Sequence, residues 1–240
     1  MAYARYFPAG QKTFLKRLCA ATTQPALDTL TGYVTGTGEN HVDLHLPYGP
    51  DAAGGYPFTP GMRFELSCEA QGMGLRLQAS FLERVDSTSI RLRFEGNLEF
   101  ISLRHYRRVE VIAWVGLDRS GGSLATRRTE WQEKLRQLQE GVSAARLTKF
   151  QKVTLSLSGG GLRLAVATPV EIAELIVIFL SIGDRGGIIC ALTEVVWLGA
   201  VETDGTRSAG LRFLNLLSED QARIDRVATA LLERLEQAGR

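Results

Sequence analysis

A chain of 240 residues, 45% hydrophobic and 22% charged, carries enough apolar side chains to bury a core, which excludes wholesale disorder, and its length suits two domains. The formal net charge of +2 excludes a globally basic partner surface, so any basic function must be local. Cys19, Cys68 and Cys190 are widely scattered and form no C-x-x-C pair. That speaks against a zinc knuckle or a disulfide framework, suits a reducing compartment and places them in the core.

Near the start, Phe7, Pro8, Gly10, Gln11 and Lys12 interrupt what a secretory signal would need as an apolar region, so a cytoplasmic location is expected. Residues 12–21 place Phe14, Leu15, Leu18 and Cys19 at helical spacing and predict a short opening helix. From Gly32 the period changes to two. Tyr33-Val34-Thr35 is followed by Val42, Leu44 and Leu46 alternating with His41, Asp43 and His45. On a strand His41 and His45 stand ~13 Å apart, too far to share a metal. The alternation recurs in Met62–Leu66, Leu75–Ala79 and Ile90–Phe94, with a Gly- and Pro-rich connection from Pro47 to Pro60. A small antiparallel barrel or sandwich is expected over residues 30–103, and Asn97 to Ser102 then leads into a basic cluster.

That cluster is Arg104-His105-Tyr106-Arg107-Arg108, and Val109–Val115 after it is a strand that opens a second domain. Beyond the Ser120-Gly121-Gly122 turn, residues 129–142 read as an inserted amphipathic helix. Trp131, Leu135, Leu138 and Val142 lie on one face, and Glu130 pairs with Lys134. Phe150–Leu157, Leu162–Ala167, Ala173–Ser181, Ile188–Leu198 and Arg207–Leu214 read as strands. The six apolar residues Leu175–Leu180 among them are far short of the ~20 that cross a bilayer. Trp114 and Trp197 sit in apolar strand runs and are expected in the core, whereas Trp131 suits core and interface equally. Ser218-Glu219-Asp220-Gln221 is a capping box, and Ile224, Val227, Leu231, Leu232 and Leu235 line a terminal helix.

Two stretches carry chemistry. Arginine keeps its charge and grips a phosphate, or the O6/N7 edge of a guanine, with two parallel hydrogen bonds, so Arg104, Arg107 and Arg108 suit an anionic or guanine-containing ligand. Taken alone, such a run is equally a solvated turn. Ser156-Leu157-Ser158-Gly159-Gly160-Gly161 ends in three glycines that let a ligand lie against exposed N–H groups, although a hairpin turn needs glycine too. It is no nucleotide-triphosphate loop, since no Gly-Lys-Ser/Thr follows and the next segment is a strand. Nothing resembles a nucleophile with its base, a paired-carboxylate site or a metal cluster, so neither catalysis nor a metal is expected.

Arg104 and Arg108, with Arg107 between them, fill an R-x-x-x-R pattern, and Ser158 and Gly161 fill the serine and final glycine of D/N-x-S-x-x-G, with Ser156 where Asp or Asn would stand. With Leu192–Val196, Gly210-Leu211-Arg212-Phe213 and a C-terminal helix, residues 104–240 resemble the PilZ family. Residues 1–103 resemble the barrel that precedes it in flagellar-brake proteins of the YcgR type. The resemblance implies a mainly β chain of two small antiparallel β-barrels in tandem; the helical insertion near 120–148 in the second departs from the family in being longer than is usual there, and it is expected to cover the site, form a dimer seam or bind a partner. It implies a bacterial cytoplasmic receptor for cyclic di-GMP that changes interdomain arrangement on binding. Such a receptor regulates motility, exopolysaccharide or virulence through a protein partner such as flagellar or polysaccharide-synthesis machinery, and a homodimer is among the assemblies implied. The implied ligand residues are Arg104, Arg107, Arg108, Ser156, Ser158, Gly159, Gly160 and Gly161. Leu103 in place of a further arginine implies one bound nucleotide rather than a stacked pair. Ser156 offers one hydroxyl where a carboxylate would accept two donors, which predicts weaker binding or none. The alternative is a degenerate adaptor that binds a protein partner without nucleotide; a nucleic-acid binder, marked by steep salt dependence, comes third.

Overall fold

Alternation of inward apolar and outward polar side chains builds both halves of the chain. The computed structural model describes residues 3–18, 26–70, 73–101, 106–184 and 186–238. Contacts divide the chain into two units, Met1–His105 with Ser123–Thr126, and Tyr106–Gly122 with Arg127–Arg240.

In the first unit the strands are β1 (Lys12–Arg17), β2 (Ala26–Thr37), β3 (His41–His45), β4 (Arg63–Ala70), β5 (Met73–Arg84) and β6 (Ser89–Ile101). They pair antiparallel in the order β1-β4-β5-β6-β3-β2, and β1 also pairs with β2, which closes a six-stranded barrel. Leu15, Val34, Val42, Leu44, Phe64, Leu66, Leu77, Ile90 and Leu92 fill it. The opening helix expected over 12–21 is instead strand β1 across residues 12–17. Thr13 and Leu15 are buried there while Phe14 is only half-buried, so period two prevails because the segment has a partner on each side. Residues 19–21 of that expectation lie outside the described residues. β6 also runs on through Asn97–Ile101, which the sequence suggested as a connection. The long Gly/Pro connection buries Tyr48, Ala52, Ala53, Tyr56 and Phe58, with Tyr56 donating to Asp28 Oδ2 at 2.8 Å and Phe58 stacked on Phe81.

The second unit contains β7 (Val109–Asp118), β8 (Phe150–Ser158), β9 (Gly161–Ala167), β10 (Leu175–Ser181), β11 (Ile189–Val201) and β12 (Thr206–Leu217). Their order is β12-β11-β10-β7-β8-β9, with β9 returning to β12, so this sheet closes as well. Leu175–Leu180 is buried along its whole length, as a strand covered on both faces must be.

Helix α1 (Leu124–Gln139) starts five residues before its expected position and ends before Val142. Of the expected apolar face only Trp131 is fully buried, its Nε1 donating to the Cys190 carbonyl at 3.1 Å; Leu135 and Leu138 are half-buried. Lys134 reaches Asp118 Oδ2 at 2.9 Å, while Glu130 receives Arg127. Arg127 is wholly buried; its two terminal nitrogens bond Glu130, Ser120 Oγ and the Asp118 carbonyl while its Nε is left without a hydrogen bond, so charge as well as tryptophan docks this helix.

Helix α2 (Ser218–Ala238) packs against β7, β8 and β12. Ile224 and Ala228 are buried, whereas Leu235 of the expected apolar face is exposed. Its first turn is tied down by Arg223, which bonds Asp220 at 2.6 Å, Asp184 at 2.8 Å and the Gly187 carbonyl at 3.0 Å. Among the described residues no helix is long and apolar enough to cross a membrane.

The expectation that Trp114 and Trp197 are core residues is overturned, for they are 52% and 49% exposed. Along β7, Val109, Ala113 and Val115 point inward, so Trp114 shares the outer face with Glu110 and Ile112. On β11 a bulge between Val195 and Trp197 inserts a residue, so Val195 opposes Leu211 inside while Trp197 opposes Gly210 outside.

Candidate ligand-binding site

Strand β7 begins where β8 ends, with Val109 opposite Leu157 and Glu110 opposite Ser156. The exposed Arg107 and Arg108 therefore enter the barrel beside the β8–β9 turn. Arg104 and His105 lie outside the described residues.

Ser158 pairs with Gly161, leaving Gly159-Gly160 as a two-residue hairpin loop. The three glycines are needed for different reasons. Gly161 has φ +155°, and a Cβ there would stand 2.1 Å from the Leu211 carbonyl oxygen and 3.0 Å from Arg212 Cα, so only glycine lets β9 approach β12. Neither Gly159 nor Gly160 has positive φ; both make room. A Cβ on Gly160 would be 3.0 Å from the Tyr106 ring, and one on Gly159 would be 2.8 Å from that ring and 2.3 Å from Asp225 Oδ1.

The polar groups of this turn already have partners. Ser158, 6% exposed, donates its hydroxyl to the Gly161 carbonyl at 3.1 Å. Phe213 N–H donates to the Gly160 carbonyl at 3.1 Å. Gln221 on α2 donates through Nε2 to the Gly159 carbonyl at 2.8 Å and to the Tyr106 hydroxyl at 3.0 Å. The Gly159 N–H donates to Asp225, whose carboxyl is raised above its ordinary value because burial outweighs that one hydrogen bond. The sequence suggested a loop whose N–H groups face a ligand; here the Gly159 N–H faces α2.

Ser156 belongs to a different surface. Register places Glu110, Ser156, Arg163, Gly210 and Trp197 side by side across β7, β8, β9, β12 and β11. Glu110 and Arg163 are exposed and Ser156 is half-buried, so the row runs over the outer face of the barrel. Strands ~4.8 Å apart put Ser156 directly beside both charged side chains. At the far end the Trp197 indole lies on glycine: Cβ atoms built on Gly210 and Gly199 would stand 3.5 Å from Trp197 Cβ and 3.3 Å from Cη2. With no side chains beneath it, the ring lies along the sheet with one face to solvent, a stacking surface in line with a guanidinium.

The structure thus brings Arg107, Arg108, Ser156, Ser158 and Gly159–Gly161 to one end and one face of the second barrel. It adds Trp197 and Arg163, which the sequence reading left out. The signal available for them was Gly210 in Gly-Leu-Arg-Phe, a side-chain-free position amid a strand, but the bulge that aims Trp197 at it leaves no mark in the residue pattern. His41 and His45 are on the first barrel, with His45 Nδ1 3.2 Å from Thr88 Oγ1. Among the described residues no group of three or more His, Cys, Asp or Glu is placed to hold a metal.

The family described as PilZ domain matches residues 102–230, just over half of the chain. No curated protein matches the chain. Among solved structures the chain is similar to the Bacillus subtilis inhibitor of motility MotI/DgrA, with 11% identity and TM-score 0.39, covering 95% of this chain and 98% of that one. It is also similar to YcgR from Escherichia coli in complex with c-di-GMP, with 14% identity, TM-score 0.37 and 96% and 87% covered. A third is the MrkH–c-di-GMP complex of K. pneumonia, with 12% identity, TM-score 0.36 and 94% and 90% covered.

Proposed function

Because the chain belongs to the PilZ domain family, we propose that it is a receptor for cyclic di-GMP, bound on the outer face of a domain formed by residues 104–240, with residues 1–103 as a second barrel domain. The observation that carries this reading is the row in which Trp197, flat on its glycine floor, stands in line with Arg163 and Ser156 and beside the entry of the arginine segment.

Cyclic di-GMP presents two phosphates and two purines. Arg104, Arg107 and Arg108 match the phosphates and the O6/N7 edges with paired donors. The open face of Trp197 matches a purine ring, a contact worth ~1–3 kcal/mol where bases stack on aromatic side chains. Ser156 supplies one hydroxyl, and Glu110, one strand away, supplies the carboxylate that can accept from guanine N1–H and N2–H. Ser158 and Gly159–Gly161 shape the turn against which the arginine segment lies. The protein acts by binding, without metal or cofactor. Occupancy changes the arrangement of the two domains, and a protein partner in motility or polysaccharide synthesis reads that change.

Calorimetric titration of cyclic di-GMP tests the reading. The wild type should bind with Kd of ~1 μM or tighter, and Arg104→Ala or Arg108→Ala should abolish the heat. No heat in the wild type, with binding created by Ser156→Asp, would contradict the receptor and favour the nucleotide-independent adaptor.

A further inference from the structure

We infer that Tyr106 is the positioning residue of the arginine segment, and that through it the segment is tied mechanically to helix α2. The inference deepens the ligand site proposed above and rests on that reading only for its ligand-binding arm.

Tyr106 immediately precedes Arg107 and Arg108, so wherever its ring is held, both of these arginines are held within two residues of it. Its seat is the Gly159-Gly160 loop. Neither glycine is demanded by backbone conformation, since neither has positive φ, yet a Cβ on either would collide with the ring or come within 3.0 Å of it. The glycine pair therefore makes space for an aromatic ring.

The seat is also fastened from behind. One side chain of α2, Gln221, donates both to the Gly159 carbonyl and to the Tyr106 hydroxyl. A second, Asp225, accepts the Gly159 N–H one helical turn further on. Loop, ring and helix form one closed set of contacts, and Ile224 between the two polar residues is fully buried. A displacement of the arginine segment that lifts Tyr106 must break the bond to Gln221, and a displacement of α2 must loosen the loop on which Tyr106 rests. The coupling is reciprocal because the same contacts serve both directions.

The first test uses the full chain without ligand. Trypsin cuts after Arg107 and Arg108, which are exposed but held by the Tyr106 seat. Gly160→Ala leaves the sequence around both cleavage sites unchanged and crowds the ring, which must give way by a few tenths of an ångström and so loosens in its seat. It should raise cleavage after Arg107 and Arg108 about tenfold relative to other sites in the chain, because cleavage follows the population of the open segment. Tyr106→Ala should do the same and Tyr106→Phe less. Hydrogen exchange in residues 218–228 should rise in parallel, which a defect confined to the loop would not cause. Unchanged cleavage in both Gly160→Ala and Tyr106→Ala, or raised cleavage with α2 exchange unchanged, would overturn the inference. With cyclic di-GMP, both variants should bind about tenfold more weakly than wild type, a loss of preorganisation, and wild-type affinity in variants whose segment is released would also overturn it. A wild type that binds no cyclic di-GMP defeats the receptor, and the ligand-free arm still decides the role of Tyr106.

Discussion

Glycine and tryptophan divide the work at the residue scale. Gly161 serves the backbone, Gly159 and Gly160 serve a neighbouring ring, and Gly199 and Gly210 leave a floor for Trp197. Gly161→Ala should destabilise the second barrel by ~2 kcal/mol or more, since the obstruction at 2.1 Å is a carbonyl oxygen of the backbone that cannot swing aside; urea unfolding checks this. Trp197→Ala should separate stability from affinity. Its ring is half in water, so the unfolding midpoint should hardly move, while cyclic di-GMP binding should weaken by ~1–3 kcal/mol. The motif positions were legible because their spacing along the chain is itself the signal. Trp197 was not, because a bulge reversed its direction, and Trp114 was not, because an unbroken apolar run hid the alternation that turns it outward.

At the scale of elements, the strands of both barrels were readable from period two, and the terminal helix from its capping box. The failures have physical causes. β1 carries an ambiguous six-residue pattern that only pairing to β2 and β4 resolves. The connection from residue 47 to 60 has turn composition but places Tyr56 and Phe58 in the core. Helix α1 begins ahead of the apolar face read from the sequence, and Arg127 in that added turn is buried through the polar groups of β7 and its following turn. Its docking residue is Trp131, and Trp131→Ala should cost ~3–5 kcal/mol, since it removes a large buried side chain and leaves the Cys190 carbonyl without its indole partner. Unfolding by guanidinium, followed through a reporter in the second barrel, measures that loss.

Across the whole molecule, charge pairs set the response to acid. Hydrogen bonds from Arg91 to Asp43 and from Arg223 to Asp184 hold those carboxyls below the ordinary 3.8; at Asp118 burial pushes upward but Lys134 and Ser120 outweigh it. Their stabilisation is complete above the unfolded value and lost as pH falls through the lowered folded values. Asp220 and Asp225 are raised by burial, so their cost at neutral pH eases as they take up protons above 3.8. Urea midpoints should therefore hold or rise slightly as pH drops from neutral towards 4 and fall steeply below it. A steady decline from neutral would show that the buried pair does not behave this way. If ligand changes the arrangement of the two domains, the small-angle scattering profile of the full chain should change with saturating cyclic di-GMP, and an identical profile would contradict that step. Calorimetric titration of cyclic di-GMP into the wild type and Arg108→Ala separates a receptor from a nucleotide-independent adaptor. The wild type should bind with Kd of ~1 μM or tighter and Arg108→Ala not at all; a wild type that gives no heat, or an Arg108→Ala variant that binds as well as wild type, rules out cyclic di-GMP recognition through this arginine.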